Sequence, residues 1–218
     1  MYNLNESGEL TITHLNENTT LQDMLDELDN FLDKNPLPCA TCKNNCCKQP
    51  HDIRMDNFYF LRKTSGKPYN IDRFIKNELF IDFDDPHFMT FYFKQYGKHC
   101  RHISGLNRCL IYNDRPLDCR FYTCRDESIM YKLVTGLIQN ASRYSFAFNI
   151  GDVYAKKHNK EYNGEILELY KNNPFYEIVD FSNIKIKDII QYVLDLGMSI
   201  EDYEIECVHQ LKEWLNIE

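Results

Sequence analysis

The sequence predicts a mainly α fold with minor strands (α+β), in which helices frame an irregular, cysteine-rich metal-binding core. Apolar residues recur at helical spacing near both ends of the chain, and eight of the nine cysteines fall between residues 39 and 124. Hydrophobic residues make up 43% of the 218 residues, enough to bury a sizeable core. We expect a single domain over 1–218, with a cysteine-cluster metal-binding module at 36–126 and a helical C-terminal part at 127–218.

The first predicted element is a helix at 20–34. Its apolar residues recur every three or four positions and form one stripe: Leu21, Met24, Leu25, Leu28, Phe31 and Leu32. Thr20 followed by Asp23 is typical of a capped N-terminus, and Pro36 and Pro38 end the helix.

Further short elements are predicted along the rest of the chain. They are helices at 55–63, 71–79, 150–158, 163–172 and 186–196, and a strand at 89–95 that is rich in aromatic residues. Gly197 closes the helix before it, and Ser199 with Asp202 opens a last one. The apolar face of that last helix is predicted to consist of Ile200, Tyr203, Cys207, Val208, Leu211, Trp214 and Leu215, with Cys207 as a buried small hydrophobe.

Charge and hydropathy exclude several partner classes. A net charge of -8 argues against non-specific nucleic-acid binding. The first twenty residues lack the basic start and apolar run of a secretory signal. No stretch approaches the ~20 apolar residues of a membrane span, so we expect a cytoplasmic protein with no membrane partner.

The cysteines are expected to hold a metal rather than to pair. Thiols stay reduced in the cytoplasm, and an odd number of cysteines cannot all pair internally. The adjacent Cys46 and Cys47 have Cα atoms ~3.8 Å apart, closer than the ~4.4–6.8 Å that a disulfide usually spans.

Eight thiols suit two four-thiolate sites, or an iron–sulfur cluster with a second metal. The expected ligands are Cys39, Cys42, Cys46, Cys47, Cys100, Cys109, Cys119 and Cys124. Cys39, Cys42 and Cys46 would share one side of a helical turn, whereas Cys47 points elsewhere and either serves a second ion or stays free. The histidines that would replace a thiolate, or else lie on the surface, are His51, His99 and His102.

Basic residues concentrate around the second cysteine set, although the chain is acidic overall. Guanidinium groups near a thiolate site offset its negative charge and donate hydrogen bonds to sulfur, or else they form ordinary ion pairs with nearby aspartates. The candidates for contacting a cofactor are Tyr112, Arg115 and Arg120, with Tyr122 as a further residue that lines a pocket.

The segments "CATCKNNCC" and "CLIYNDRPLDCRFYTC" together resemble the YkgJ-type cysteine-cluster family, a zinc- or iron-chelating domain. The matching positions are Cys39, Cys42, Cys46, Cys47, Cys109, Ile111, Tyr112, Arg115, Pro116, Cys119 and Arg120. The resemblance covers roughly residues 39 to 124. It implies chelation of zinc, iron or an iron–sulfur cluster by these cysteines. The family includes flagellin lysine N-methylase, so it also implies a protein substrate or partner as one expectation.

Two function classes follow from these observations. In one, an iron or iron–sulfur centre supports redox chemistry or modification of a protein. In the other, a closed zinc site is structural and the chain is a non-enzymatic module for protein–protein interaction. Whether the chain is an enzyme is left open. In either class, loss of the metal is expected to unfold residues 36–50 and 98–125, because a structural zinc contributes roughly 10–16 kcal/mol.

Overall fold

The computed structural model describes most of the chain. The described residues are 1–37, 47, 53–56, 59–60, 71–82, 90–93, 95–96, 99–106, 109–157, 181–197 and 200–218. They belong to two compact units. The first contains Met1–Pro36, Thr123–Ser145 and Asn163–Glu218, and the second contains Leu37–Tyr122 and Phe146–Tyr162. The expected division into a single domain with a module at 36–126 stays a prediction, although the second unit includes most of the residues of that module.

The described residues contain short strands and helices of 5 to 29 residues. In chain order they are β1 (Tyr2–Leu4), β2 (Leu10–Ile12), α1 (Leu21–Lys34), α2 (Ile71–Glu78), β3 (Leu79–Asp82), β4 (Thr90–Phe93), β5 (Gln95–Tyr96), β6 (His99–Cys100), α3 (Leu117–Phe121), α4 (Ile129–Lys157), α5 (Ile186–Asp195) and α6 (Ile205–Leu215). Three 3₁₀ turns lie at Tyr112–Asp114, Phe181–Asn183 and Asp202–Glu204. The strands form three antiparallel pairs, β1 with β2, β3 with β4 and β5 with β6. The prediction of a mainly α fold with minor strands is confirmed.

Helix α1 of the first unit begins with a capping box, as predicted. The Thr20 side chain accepts a hydrogen bond from the Asp23 backbone N–H at 3.1 Å, and the Asp23 carboxylate accepts one from the Thr20 backbone N–H at 2.9 Å. The Thr20 hydroxyl also donates to the Asp23 carboxylate at 2.7 Å, and this bond, together with that from the Thr20 backbone N–H, lowers the pKa of the Asp23 carboxyl. The predicted apolar stripe is buried at Leu21, Met24, Leu25, Leu28 and Leu32.

The start of α1 is joined to the start of α5 by backbone hydrogen bonds in both directions. Leu21 N–H donates to the Ile184 carbonyl at 2.8 Å, and Ile186 N–H donates to the Thr19 carbonyl at 2.9 Å. The helices therefore enter the core of the first unit side by side. That core combines Leu10, Ile12, Met24, Leu25, Leu28, Tyr131, Val134, Ile138, Phe181, Ile186, Ile189, Ile190, Val193, Leu211 and Leu215, each at most 2% exposed.

Several predicted boundaries in the C-terminal part agree with the structure and others do not. Helix α5 ends before Gly197, which has the positive φ of 68° expected at a helix C-terminus. The helix predicted at 150–158 is part of α4, which begins much earlier, at Ile129. The helix predicted at 163–172 lies outside the described residues, and so does Ser199. The face predicted for α6 is buried at Leu211 and Leu215, but the placement of Tyr203 on a buried face is wrong, since it is 65% exposed.

The second unit has a small aromatic core of its own. Phe74 of α2 contacts Phe60 edge-on at 5.2 Å between ring centroids and Tyr59 at 6.2 Å. Helix α2 leads directly into β3, which pairs with β4 in the register Leu79 to Phe93. The helix predicted at 71–79 and the strand predicted at 89–95 are therefore present, and most of the helix predicted at 55–63 lies outside the described residues.

Within the described ranges, no helix is long and apolar enough to cross a bilayer.

Replacing Thr20 by Ala should destabilise the first unit by about 1 kcal/mol, because α1 loses the hydroxyl that caps its N-terminus. Urea denaturation measures this change in the free energy of unfolding. Ser7→Ala, which removes an exposed hydroxyl in a turn, is the control and should leave the value within error. An equal loss in both variants would contradict a capping role.

Glu127 should make the folded chain less stable as the pH rises. Burial raises the pKa of its carboxyl, against the opposing effects of a hydrogen bond from Thr123 and the charge of Lys132. The folded state therefore keeps this proton to higher pH than the unfolded chain, so stability falls above the ordinary value of 4.5. Glu127→Gln keeps the acceptor for Thr123 and should raise Tm near neutral pH but not below about pH 4. Exposed Glu6→Gln is the control, and a uniform shift at every pH would contradict the assignment.

Candidate metal centre

The predicted ligands are divided between described and undescribed parts of the chain. Cys39, Cys42 and Cys46 lie outside the described residues, as does His51. Cys47 is described and half-buried. The second set consists of Cys100, Cys109 and Cys119 in the second unit and Cys124 in the first. The structure therefore positions mainly the cysteines of the second set.

Cys100 and Cys109 are brought together by a short backbone connection. Ile103 N–H donates to the Cys100 carbonyl at 3.2 Å, which closes a turn, and Ile103 pairs with Cys109 in an antiparallel bridge. The ends of a turn lie within ~7 Å and bridged residues within ~5.5 Å, so the two cysteine Cα atoms are at most about 12 Å apart. The two cysteines therefore lie in the same small region of the second unit.

Cys119 is a half-buried residue of helix α3, and it lies within electrostatic range of the other two thiols. Burial is the largest cause that raises the pKa of its thiol. The positive charge of Arg115 opposes that rise, and the charges of Asp118, Cys100 and Cys109 add to it. The Cys119 thiol thus lies within electrostatic range of cysteines from two other segments.

Arg115 is fixed against the segment that carries Cys119. Its guanidinium carbon lies 3.7 Å from the centroid of the Tyr112 ring. Nε donates to the Tyr112 carbonyl at 2.8 Å, and Nη1 donates to the Cys119 carbonyl at 3.1 Å. Two of the predicted cofactor-contacting residues, Tyr112 and Arg115, therefore meet beside a predicted ligand, and the third, Arg120, is half-buried on α3. A guanidinium that stacks on a ring and donates two hydrogen bonds keeps its positive charge at a fixed position beside Cys119.

Two aspartates anchor helix α3. Neither was predicted to be part of this site. The Asp56 carboxylate, 2% exposed, accepts from Leu117 N–H at 2.6 Å and from Tyr59 N–H at 2.8 Å. Asp118 accepts from Arg54 N–H at 3.0 Å. The two tertiary bonds join residues 61 and 64 positions apart. Because Arg54 follows Cys47 by only seven positions, the chain leaving the first cysteine set is tied to the helix that carries Cys119.

A sequence signal for Asp56 exists. Aspartate three residues before Tyr59, at the start of a predicted helix, is a typical N-cap. The hydrogen bond from Leu117 N–H to the second carboxylate oxygen of Asp56 has no signal in the neighbouring sequence.

Glu78, at the end of α2, organises the turn that follows Cys100. Its Oε2 accepts from the Tyr59 hydroxyl at 3.5 Å and lies 3.3 Å from Arg101 Nη1 and 3.9 Å from His102 Nε2. Arg101 also donates to the carbonyl of Asn77. The His102 side chain is only 17% exposed, whereas His99, the other described candidate histidine of this segment, is exposed.

Cys124 has a different setting. It is exposed and adopts a positive φ of 53°, which is uncommon for a residue other than glycine. The next residue, Arg125, donates to the Asn35 carbonyl at 2.7 Å, so the backbone here is held within the first unit.

The donor atoms suit zinc, iron or an iron–sulfur cluster, all of which favour thiolates. Cys109 and Cys119 carry free thiols. Within the residues that the structure describes, no three His, Cys, Asp or Glu side chains are already arranged as a group that would hold a metal ion. Binding would therefore need side chains of this cluster to turn towards the ion, or ligands from outside the described ranges.

Comparison with known proteins found no protein-family model, no curated protein and no solved structure that matches the chain.

Replacing Asp56 by Asn should destabilise the second unit by roughly 1–3 kcal/mol, because an amide has one acceptor oxygen and would leave one of two buried N–H groups without its partner. Hydrogen exchange at the amides of Tyr59 and Leu117 checks this and should accelerate at both sites or at one. The matched control is Asp126→Asn at an exposed position. Unchanged exchange at both amides would contradict the anchoring role of Asp56.

Proposed function

We propose that this chain is a metal-binding cysteine-cluster protein, similar to the YkgJ-type family, which holds zinc, iron or an iron–sulfur cluster through thiolates in a reducing cytoplasm. The observation that carries the proposal is that Cys109 pairs with the residue that closes the turn after Cys100, and that both thiols lie within electrostatic range of Cys119. Thiols gathered this way have few roles in a reducing compartment other than ligation or redox chemistry.

The charges near the thiols support ligation. Thiolates that bind zinc or an iron–sulfur cluster carry more negative charge than the metal neutralises, and nearby donors stabilise them. Arg115 is positioned to do this, because its Nη1 is bonded to the carbonyl of Cys119 itself. Tyr112, on which Arg115 stacks, keeps the guanidinium in place.

The remaining ligands are proposed from the sequence. The first set, Cys39, Cys42, Cys46 and Cys47, precedes a segment that Asp56 and Asp118 tie to α3, and this supports convergence of the two sets. Cys124 would complete the eight. When bound, an iron or iron–sulfur centre supplies electron transfer or activation of a substrate, whereas zinc bound by four thiolates is structural.

Two function classes remain as proposals. In the first, the centre is part of a redox or protein-modifying enzyme, similar to a lysine N-methylase, with Tyr112, Arg115 and Arg120 beside the reacting group. In the second, the metal is structural and the module binds another protein. Exposed apolar residues close to the cluster favour a protein as partner or substrate in both classes, since Leu106 is 77% and Leu110 is 69% exposed.

Replacing Cys109 or Cys119 by Ser should lower metal affinity at least about tenfold, since a lost ligand costs no less than a lost outer-shell partner. Anaerobic purification followed by elemental analysis measures the metal content. Cys207→Ser, the same substitution on α6 in the first unit, is the matched control and should keep the wild-type content.

The absorption spectrum of the anaerobic protein separates the two classes. Iron with acid-labile sulfide and visible bands would support the redox or protein-modifying enzyme. A colourless protein with stoichiometric zinc would support the structural module. Wild-type protein without bound metal, in which all the cysteines react with a thiol reagent, would contradict the proposal as a whole.

A further inference from the structure

We infer that two exposed surfaces of this chain bind each other between two copies, so that the chain associates with itself. The basic apolar surface belongs to the second unit and the acidic apolar surface to the first; they consist of Leu106, Leu110, Tyr112 and Arg115, and of Asp202, Tyr203, Ile205 and Glu206. The inference rests on the protein-binding class of the proposed function, for which it names a second copy as the partner, and the contact itself involves no metal.

The backbone holds the two leucines of the basic apolar surface in place. Ile103 pairs with Cys109 in an antiparallel bridge, and Leu110 N–H donates to the His102 carbonyl at 2.8 Å. Leu106 therefore lies between two joined points of the chain, and Leu110 lies at the join. The two leucines are 77% and 69% exposed. A protein that covers them removes this apolar area from water, which is favourable.

Arg115 adds a positive charge to the basic apolar surface. Its guanidinium stacks on the Tyr112 ring, and its two hydrogen bonds go to the backbone carbonyls of Tyr112 and Cys119. Among the described residues, no carboxylate pairs with this guanidinium. Its Nη2 atom takes part in neither hydrogen bond and is able to donate to a carboxylate on another molecule. Tyrosine and arginine are also among the residues enriched in protein–protein interfaces.

The acidic apolar surface lies on the 3₁₀ turn Asp202–Glu204 and the first residues of α6. Tyr203 is 65% and Ile205 is 43% exposed, and Asp202 and Glu206 are exposed beside them. Within the part of the chain that the structure describes, no basic side chain pairs with either of these two carboxylates. This short segment therefore presents apolar side chains and negative charges alternately along the sequence.

Charge complementarity identifies a second copy as the occupant. The chain has a net charge of -8, yet residues 98–125 contain six basic and two acidic residues. An acidic segment with exposed apolar side chains matches the basic apolar surface in both properties, and the chain supplies such a segment at 202–206. Opposite charges select this pairing, because two acidic surfaces would repel each other. In a two-fold dimer each copy contributes both surfaces, so the contact forms twice.

Sedimentation velocity of the full chain over a range of concentrations tests this inference, with a reductant present so that the exposed Cys124 does not cross-link copies. The wild type should dimerise. Leu106→Asp combined with Leu110→Asp should weaken dimerisation at least about tenfold, and so should Asp202→Lys combined with Tyr203→Ala. The matched controls are Ile129→Asp and Glu6→Lys, which make the same kinds of change at exposed positions outside both surfaces and should dimerise as the wild type does.

Mixing the two disrupted variants provides the decisive measurement. Each variant keeps the surface that the other lacks, so the mixture should form a complex of one copy of each, although neither variant dimerises at that concentration. Circular dichroism of each variant controls for misfolding. A monomeric wild type, dimerisation that neither pair of substitutions weakens, or a mixture of folded variants that stays monomeric would overturn the inference.

Metal content, measured on the same samples, separates this inference from the proposed metal site. Metal bound to a monomeric wild type would overturn the inference and leave metal binding standing. A wild type that dimerises through these surfaces without bound metal would support the inference and contradict only the metal site.

Discussion

The buried carboxylate of Asp56 is the interaction on which the arrangement of the second unit depends. Helix α3 has five residues and is too short to be stable by itself. Its first N–H, that of Leu117, is satisfied by Asp56, and the other oxygen of the same carboxylate caps the turn at Tyr59. A carboxylate that is only 2% exposed is tolerated only when it has such hydrogen-bond donors. The position of the Asp56 side chain therefore depends on both backbone segments, and their positions depend on it. The position of Cys119 follows from this, since it lies two residues beyond Leu117.

Burial and ligation are linked at Cys119. Burial raises the pKa of its thiol, so at neutral pH the sulfur keeps its proton in the absence of a cation. A metal at the proposed centre would replace that proton, and its free energy of binding would then depend on pH. The positive charge of Arg115 lowers the pKa of the same thiol without overcoming the effect of burial. The surroundings of Cys119 therefore favour the protonated thiol, which a metal would have to displace.

The sequence predicted those helices whose apolar period and capping residues lie within the helix or next to it. Helix α1 was readable from its apolar period and its Thr20–Asp23 cap, and α5 from its period and Gly197. The start of α4 was missed although its buried residues recur at helical spacing: Met130, Tyr131, Leu133, Val134, Leu137, Ile138 and Ala141. The metal site stays a prediction, in which the cysteine spacing proposes the donors. The bond between Asp56 and Leu117 and the contacts of Glu78 were not predicted, because these partners lie far along the chain and such contacts leave no trace in the neighbouring residues.

The bond from Arg125 to the carbonyl of Asn35 has a consequence for how the chain is built. It joins two points of the first unit between which Leu37–Tyr122, the larger part of the second unit, is inserted. The inserted chain thus leaves and re-enters the first unit next to two residues that this bond joins. Closing a loop costs entropy that grows only with the logarithm of its length, so a change in the length of this segment is expected to alter the stability of the first unit little. Replacement of residues 37–122 by a short linker therefore becomes an engineering route.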